Sequence, residues 1–173
     1  ILGFIFLIPF IIFIIRKQIN FYLIKRLFVV VLFTALTASA GWIMVQSGLV
    51  DRPWVNAYKL TLHFILAVLS ISAMVKTIAD VYGYKNRNTA HNSRFIFIII
   101  AITFIQMVFA GLMSGMKAGL FYPSWPDMNG HFIPDVLLNG INYNWTNLTN
   151  YDKFVFAPAL VQFVHRILAY ILL

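Results

Sequence analysis

The chain has 173 residues, 61% of them hydrophobic and 10% charged, with a formal net charge of +8 and no cysteine. A soluble domain of this length needs far more polar residues to cover its surface, and a disordered chain needs the opposite composition. The missing cysteine removes a disulfide scaffold as well. What remains is an all-α polytopic transmembrane helix bundle. The sequence opens inside one apolar run and closes inside another, so the expectation is a segment of a longer chain.

A bilayer core takes about 20 helical residues. Backbone groups cannot face lipid unpaired, so each long apolar run should be a helix. Residues 1–15 read as the tail of a truncated span. They are no signal peptide, because Arg16 and Lys17 follow the apolar run instead of preceding it. A second span is expected at 27–45 and a short turn at 46–56. A third span follows at 57–75 and a fourth at 95–112. A long connection covers 113–153, and a fifth span runs from 154 to the end, truncated like the first.

Charge gives the orientation. The connections after the first and third spans hold eight basic residues: Arg16, Lys17, Lys25, Arg26, Lys76, Lys85, Arg87 and Arg94. The opposite side holds four, Arg52, Lys59, Lys117 and Lys153, spread over longer connections. By the positive-inside rule the first set faces the cytoplasm, or the matrix in a mitochondrion. The basic balance is thus orientation signal and contact with lipid headgroups. No nucleic-acid-binding module accompanies it.

Of the four histidines, His91 falls in an inner connection and His131 in the long outer one. His63 and His165 fall inside spans, where an ionisable side chain is expensive and usually marks a site. His63 lies in the outer half of the third span, and His165 near the middle of the fifth. A neutral imidazole in a dry bundle is a good ligand for haem iron. Arg166 then calls for an anionic partner such as a haem propionate. Gln162, one turn away from His165, offers a hydrogen bond. Lys59, one turn from His63, can snorkel to the surface or meet a second propionate. The plain alternative is that each histidine merely bonds a neighbouring helix. A proton or ion pathway would ordinarily add membrane carboxylates, but Asp51, Asp80, Asp127, Asp135 and Asp152 all fall in connections or at span edges.

Small residues recur at helical spacing. Thr34, Ala38 and Gly41 share one face of the second span, and Gly111, Gly115 and Gly119 form a ridge running out of the fourth. Close helix packing is the first explanation for both, and a flat macrocycle lying on such a face is the sharper one. The long connection exceeds the length at which unstructured loops are common, which points to function. Within it, FYPSWPDMNG (121–130) is stiffened by two prolines and holds Trp125 and Asp127 near a turn at Asn129–Gly130. Lys117, Trp125 and Asp127 are loop candidates without assigned chemistry. The aromatics there fit either an interfacial belt or a lid over a hydrophobic substrate. Asn144 and Asn147 match a glycosylation pattern that matters only in a secretory membrane.

GWIMVQSGL (41–49), RPWVNAYKLTLHF (52–64), AGLMSGMKAGLFYPSWPDMNGHFIPD (110–135) and VQFVHR (161–166) resemble the haem A synthase family, in its proteobacterial and mitochondrial branch. That resemblance implies eight transmembrane helices in two four-helix halves. Residues 1–79 would close the N-terminal half, which handles substrate haem. Residues 95–173, with the outer loop 113–153, would open the half that holds resident haem b. His63 would serve as the catalytic ligand to substrate haem iron, and His165 as a ligand to haem b iron. The partner histidines and a catalytic glutamate would lie outside this sequence. Some relatives carry a cysteine pair in the loop equivalent to 113–153, and this chain has none.

The implied reaction oxidises a methyl group of haem O to the formyl group of haem A, for cytochrome oxidase assembly. The implied partners are the enzyme that supplies haem O, the oxidase assembly machinery, the lipid bilayer and an electron acceptor. A homo-oligomer stays open. The implied location is the bacterial plasma membrane or the mitochondrial inner membrane, with the haem sites toward the periplasmic or intermembrane side. A dihaem b-type electron-transfer cytochrome would use the same histidines without changing the haem, and a transporter is the remaining alternative.

Overall fold

The computed structural model describes residues 2–48, 53–83 and 93–173. The expectations for Asp51, Arg52, Lys85, Arg87 and His91 lie outside them. The named elements of the described chain are all helical: α1 (Leu2–Ile15), α2 (Phe21–Val45), α3 (Ala57–Val81), α4 (Ser93–Met116), α5 (Ala118–Phe121), α6 (Asp135–Leu138), a 3₁₀ turn (Gly140–Asn142), α7 (Trp145–Thr149) and α8 (Phe156–Leu172). An isolated bridge between Met128 and His131 is the only extended pairing among the described residues. Three helices, α2, α3 and α4, are long and apolar enough to cross a membrane, while α1 and α8 are shorter apolar helices. The chain is therefore an integral membrane protein built as a helix bundle.

The long helices outrun the apolar stretches that predict them. Helix α2 starts at Phe21 instead of 27, and α3 continues to Val81 instead of 75, taking Lys76 and Asp80 into the helix. The extra turns have partners. Asn20 caps α2 by accepting a hydrogen bond from the Leu23 amide at 2.8 Å. Tyr22 donates to Asp80 at 3.1 Å, and Arg26 pairs with the same carboxylate at 3.2 Å. An ion pair this exposed adds little stability, but it satisfies the polar groups of both added turns.

Contacts divide the chain into two compact units. One comprises α1, the larger first part of α2 and the later part of α3; the other comprises the end of α2, the start of α3 and everything from α4 onward. In the first unit Thr34 bonds back to the Val30 carbonyl at 2.8 Å and meets the Ser70 hydroxyl at 3.0 Å. Thr34 thus belongs to a hydroxyl contact between helices, which an apolar interior rewards.

In the second unit α4 packs along α8, and α5, α6 and α7 all rest on α8. Ala57, Met116, Ala118, Tyr151, Ala157 and Val161 form one buried cluster; Leu137, Phe156 and Ala159 form another. Helix α3 begins where Asn56 accepts from the Tyr58 amide at 3.0 Å, and the Ala57 amide donates to the Tyr151 hydroxyl at 2.8 Å. The start of α3 and the end of α4 approach through the glycine ridge. A Cβ on Gly115 would fall 2.6 Å from the Ala57 Cα, and one on Gly111 would fall 3.1 Å from the Thr61 hydroxyl. Gly119 meets nothing within 4 Å. The ridge is helix packing at its first two positions and open space at its third.

Candidate functional site

Helix α3 carries His63 six residues past Ala57, and its imidazole lies against the backbone of α2 at Gly41. An ideal Cβ on Gly41 would stand 3.0 Å from the ring's Cε1 and 3.1 Å from Nδ1. A side chain there would be tighter than ordinary contact, and the ring would have to give by a few tenths of an ångström. Lys59, one turn earlier, is half-buried, and its amide donates to Asn56 at 3.3 Å. Beside this turn an apolar groove of about 260 Å³ is lined by Leu60, Phe64, Ala110, Gly111 and Ser114.

His165 lies nine residues past Phe156, midway along α8, and faces α4. Its Nε2 stands 3.4 Å from the Gln106 side-chain nitrogen, while its Nδ1 is buried without a hydrogen-bond partner. The Gln106 and Gln162 carbonyl oxygens are buried and unpartnered too. An amide NH₂ only donates, so this arrangement puts the ring proton on Nδ1. Turning the Gln106 amide over would reverse the tautomer and leave Nδ1 with a free lone pair. Gln106 therefore selects which ring nitrogen is a donor atom. Sequence reasoning missed Gln106. Its signal was an amide inside the uninterrupted apolar run of α4.

The other two α8 residues turn to the long loop. Gln162 donates to the Tyr122 carbonyl at 2.7 Å. Arg166 donates to the carbonyls of Tyr122 (3.0 Å), Ser124 (2.6 Å) and Asp127. The guanidinium thus finds three converging carbonyl dipoles, where sequence reasoning had looked for an anion. The loop is braced from within. Ser124 donates to the Asp127 carboxylate and accepts from the Asn129 amide at 2.6 Å, and Asn129 donates to the Phe121 carbonyl at 2.8 Å. The Ser124 hydroxyl, then the Gly130 amide, hold the Asp127 carboxyl below its ordinary range, with Arg166 and His131 adding to the effect. Trp125 points away, 72% exposed. His131 is exposed, 3.9 Å from Asp135.

Lys117 takes a left-handed conformation between α4 and α5, and its ammonium lies 4.1 Å from the centre of the Trp54 ring. The Trp54 indole donates to Asp152 at 3.3 Å. Lys117 is therefore held by Trp54, which is itself fixed by Asp152. No group of three or more His, Cys, Asp or Glu side chains comes together among the described residues. Each span imidazole stands as a single donor.

These features define a polytopic helical membrane protein with imidazoles set inside its bundle and a braced loop held against α8. The chain belongs to the cytochrome oxidase assembly protein family, whose model matches residues 1–173. It is 35% identical over 176 residues to a heme A synthase of Wolbachia pipientis wMel, covering 99% of this chain and 48% of that protein. A heme A synthase of Wolbachia sp. subsp. Brugia malayi (strain TRS) is 35% identical over 176 residues, covering 99% and 50%. One of Parvibaculum lavamentivorans is 34% identical over 173 residues, covering 99% and 48%. The chain thus spans about half the length of the curated relatives it matches. No solved structure matches it significantly.

Proposed function

We propose that this chain is the central part of a heme A synthase, a membrane oxidoreductase that oxidises the methyl group of haem O to the formyl group of haem A for cytochrome oxidase assembly. The observation that carries the reading is His165, whose buried Nδ1 has no protein partner and whose tautomer is set by Gln106. Iron needs a ring nitrogen with a free lone pair: with the proton on Nδ1 that would be Nε2, now facing the Gln106 amide, and with the amide turned over it would be Nδ1, so the imidazole fits the group by either nitrogen. Resident haem b, when bound, supplies one-electron chemistry. His165 holds it, and Gln106 orients His165.

His63 is the proposed ligand to the substrate haem iron, kept in place by the glycine surface at Gly41. Lys59, one turn away on the same helix, is placed to meet a propionate. The apolar groove at Leu60 and Phe64 suits an isoprenoid tail, which gains about 0.8 kcal/mol per buried CH₂. Gln162 and Arg166 serve the haem b site by fixing the loop at 122–127, which keeps bulk water off α8. Residues 1–79 and 95–173 belong, in this reading, to different four-helix halves. Making a formyl from a methyl group removes electrons and adds oxygen, so an electron acceptor is a required partner, alongside the haem O source and the oxidase assembly machinery. The membrane is the bacterial plasma membrane or the mitochondrial inner membrane, with both haem sites toward the periplasmic or intermembrane face.

Membranes containing the intact protein, supplied with haem O, should accumulate hydroxylated haem and then haem A, read by chromatography of extracted haems. Stable haem b spectra with unchanged haem O would make it an electron-transfer cytochrome instead.

A further inference from the structure

Residues 136–151 carry no charged side chain, although they belong to a loop outside the apolar spans. Their polar groups are turned onto the segment's own backbone. Asn139 accepts from the Ile141 amide at 3.1 Å, Asn142 donates to the Val136 carbonyl at 2.9 Å, and Asn147 donates to the Asn142 carbonyl at 3.0 Å. Asn144 caps α7 by accepting from the Asn147 amide at 2.8 Å. Large apolar side chains point the other way: Leu138 is 67% exposed, Ile141 83% and Trp145 78%. That is the reverse of a solvated loop, and large apolar side chains exposed together on one short segment mark an interaction site.

The segment is rigidly presented. Leu137 is buried in the cluster with Phe156 and Ala159, and the Tyr143 ring packs edge-on against Phe156 with centroids 4.8 Å apart. Phe154 and Val155, just ahead of the membrane helix α8, are exposed as well. Tyr and Trp favour the depth where a ring is buried and its polar edge stays wet. We infer that residues 138–145 form a monotopic foot that rests in the headgroup region of the bilayer leaflet on the loop's side. The occupant of the surface is lipid, continuous with the lipid around the head of α8. Brace and foot then sit at opposite ends of one loop: 121–129 is tied to α8 by Arg166 and Gln162, and 138–145 is held by the bilayer.

The test uses the intact protein, with any cysteine outside residues 1–173 replaced, in vesicles of phosphatidylcholine and phosphatidylglycerol, with nitroxide labels on Ile141→Cys, Trp145→Cys and His131→Cys. Labels at 141 and 145 should collide with oxygen several-fold more, relative to a water-soluble nickel chelate, than the label at 131. Equal ratios at all three sites, or exclusion of both reagents at 141 and 145 by a second copy or another part of the protein, would overturn the inference. Unlabelled protein provides a second reading: the emission lost in Trp145→Phe should be the part quenched by lipids brominated near the headgroup. Unquenched Trp145 emission contradicts the foot. Neither measurement needs haem, so either can fail while the proposed function stands, and the reverse.

Discussion

The His63 imidazole rests on the bare backbone of Gly41, with room for a hydrogen there and not for a methyl group. In Gly41→Ala two effects oppose each other. The helix gains about 1 kcal/mol of propensity, while the ring must leave its rotamer well at about 1 kcal/mol. Stability should therefore change little. Position should change, because the ring has to give by a few tenths of an ångström against α2. The expected outcome is an almost unaltered melting temperature with haem A formation measurably reduced. Gly41→Ala with wild-type turnover would remove His63 from the proposed chemistry.

The glycine ridge allows a matched comparison. Gly115→Ala drives a methyl group into the Ala57 backbone, and overpacking of that kind costs about 1–3 kcal/mol. Gly119→Ala meets nothing and should be neutral, or stabilising by about 0.5 kcal/mol through the unfolded chain. Thermal melting of the two variants in detergent checks the order.

Arg166 distinguishes a brace from a counter-charge. Lys keeps the charge but cannot reach three carbonyls with a planar fork. In Arg166→Lys, amide exchange over 121–129 should accelerate, with a loss of about 2 kcal/mol of local protection, since hydrogen bonds to a charged donor are worth about that much each. Exchange at wild-type rates in the Lys variant would show that charge alone matters.

Asp127 gives the loop a pH limit. Its carboxyl lies below the ordinary range in the folded loop, so ionisation favours the folded state above the unfolded value near 3.8. That contribution is constant at neutral pH and is lost as pH falls through the lowered folded value. Trp125 emission, followed on acidification, should report loosening only below about pH 4. In Asp127→Asn that transition should disappear.

The membrane helices were legible in the sequence because apolar runs of bilayer length have few other uses. Their ends were less so, since Tyr22, Arg26 and Asp80 extend α2 and α3 through a contact between residues far apart in the chain. The small-residue ridge was readable, but its counterpart, Ala57 and Thr61 at matching helical spacing, was hidden in an ordinary helix start. Arg166 and Gln162 were found as polar residues beside His165. Their carbonyl partners leave no trace in residue type. Helices α6 and α7 were missed because each is a single turn; Asn144, read as part of a glycosylation triplet, is the cap of one of them.

The central claim is that the two span histidines hold different haems. The most direct measurement compares His63→Ala and His165→Ala in the intact protein, by the reduced haem b spectrum of the purified protein and by haem A yield. His165→Ala should lose haem b and haem A together, whereas His63→Ala should lose haem A and keep most haem b. Equal loss of haem b in both variants, or normal spectra and yield in both, contradicts the account.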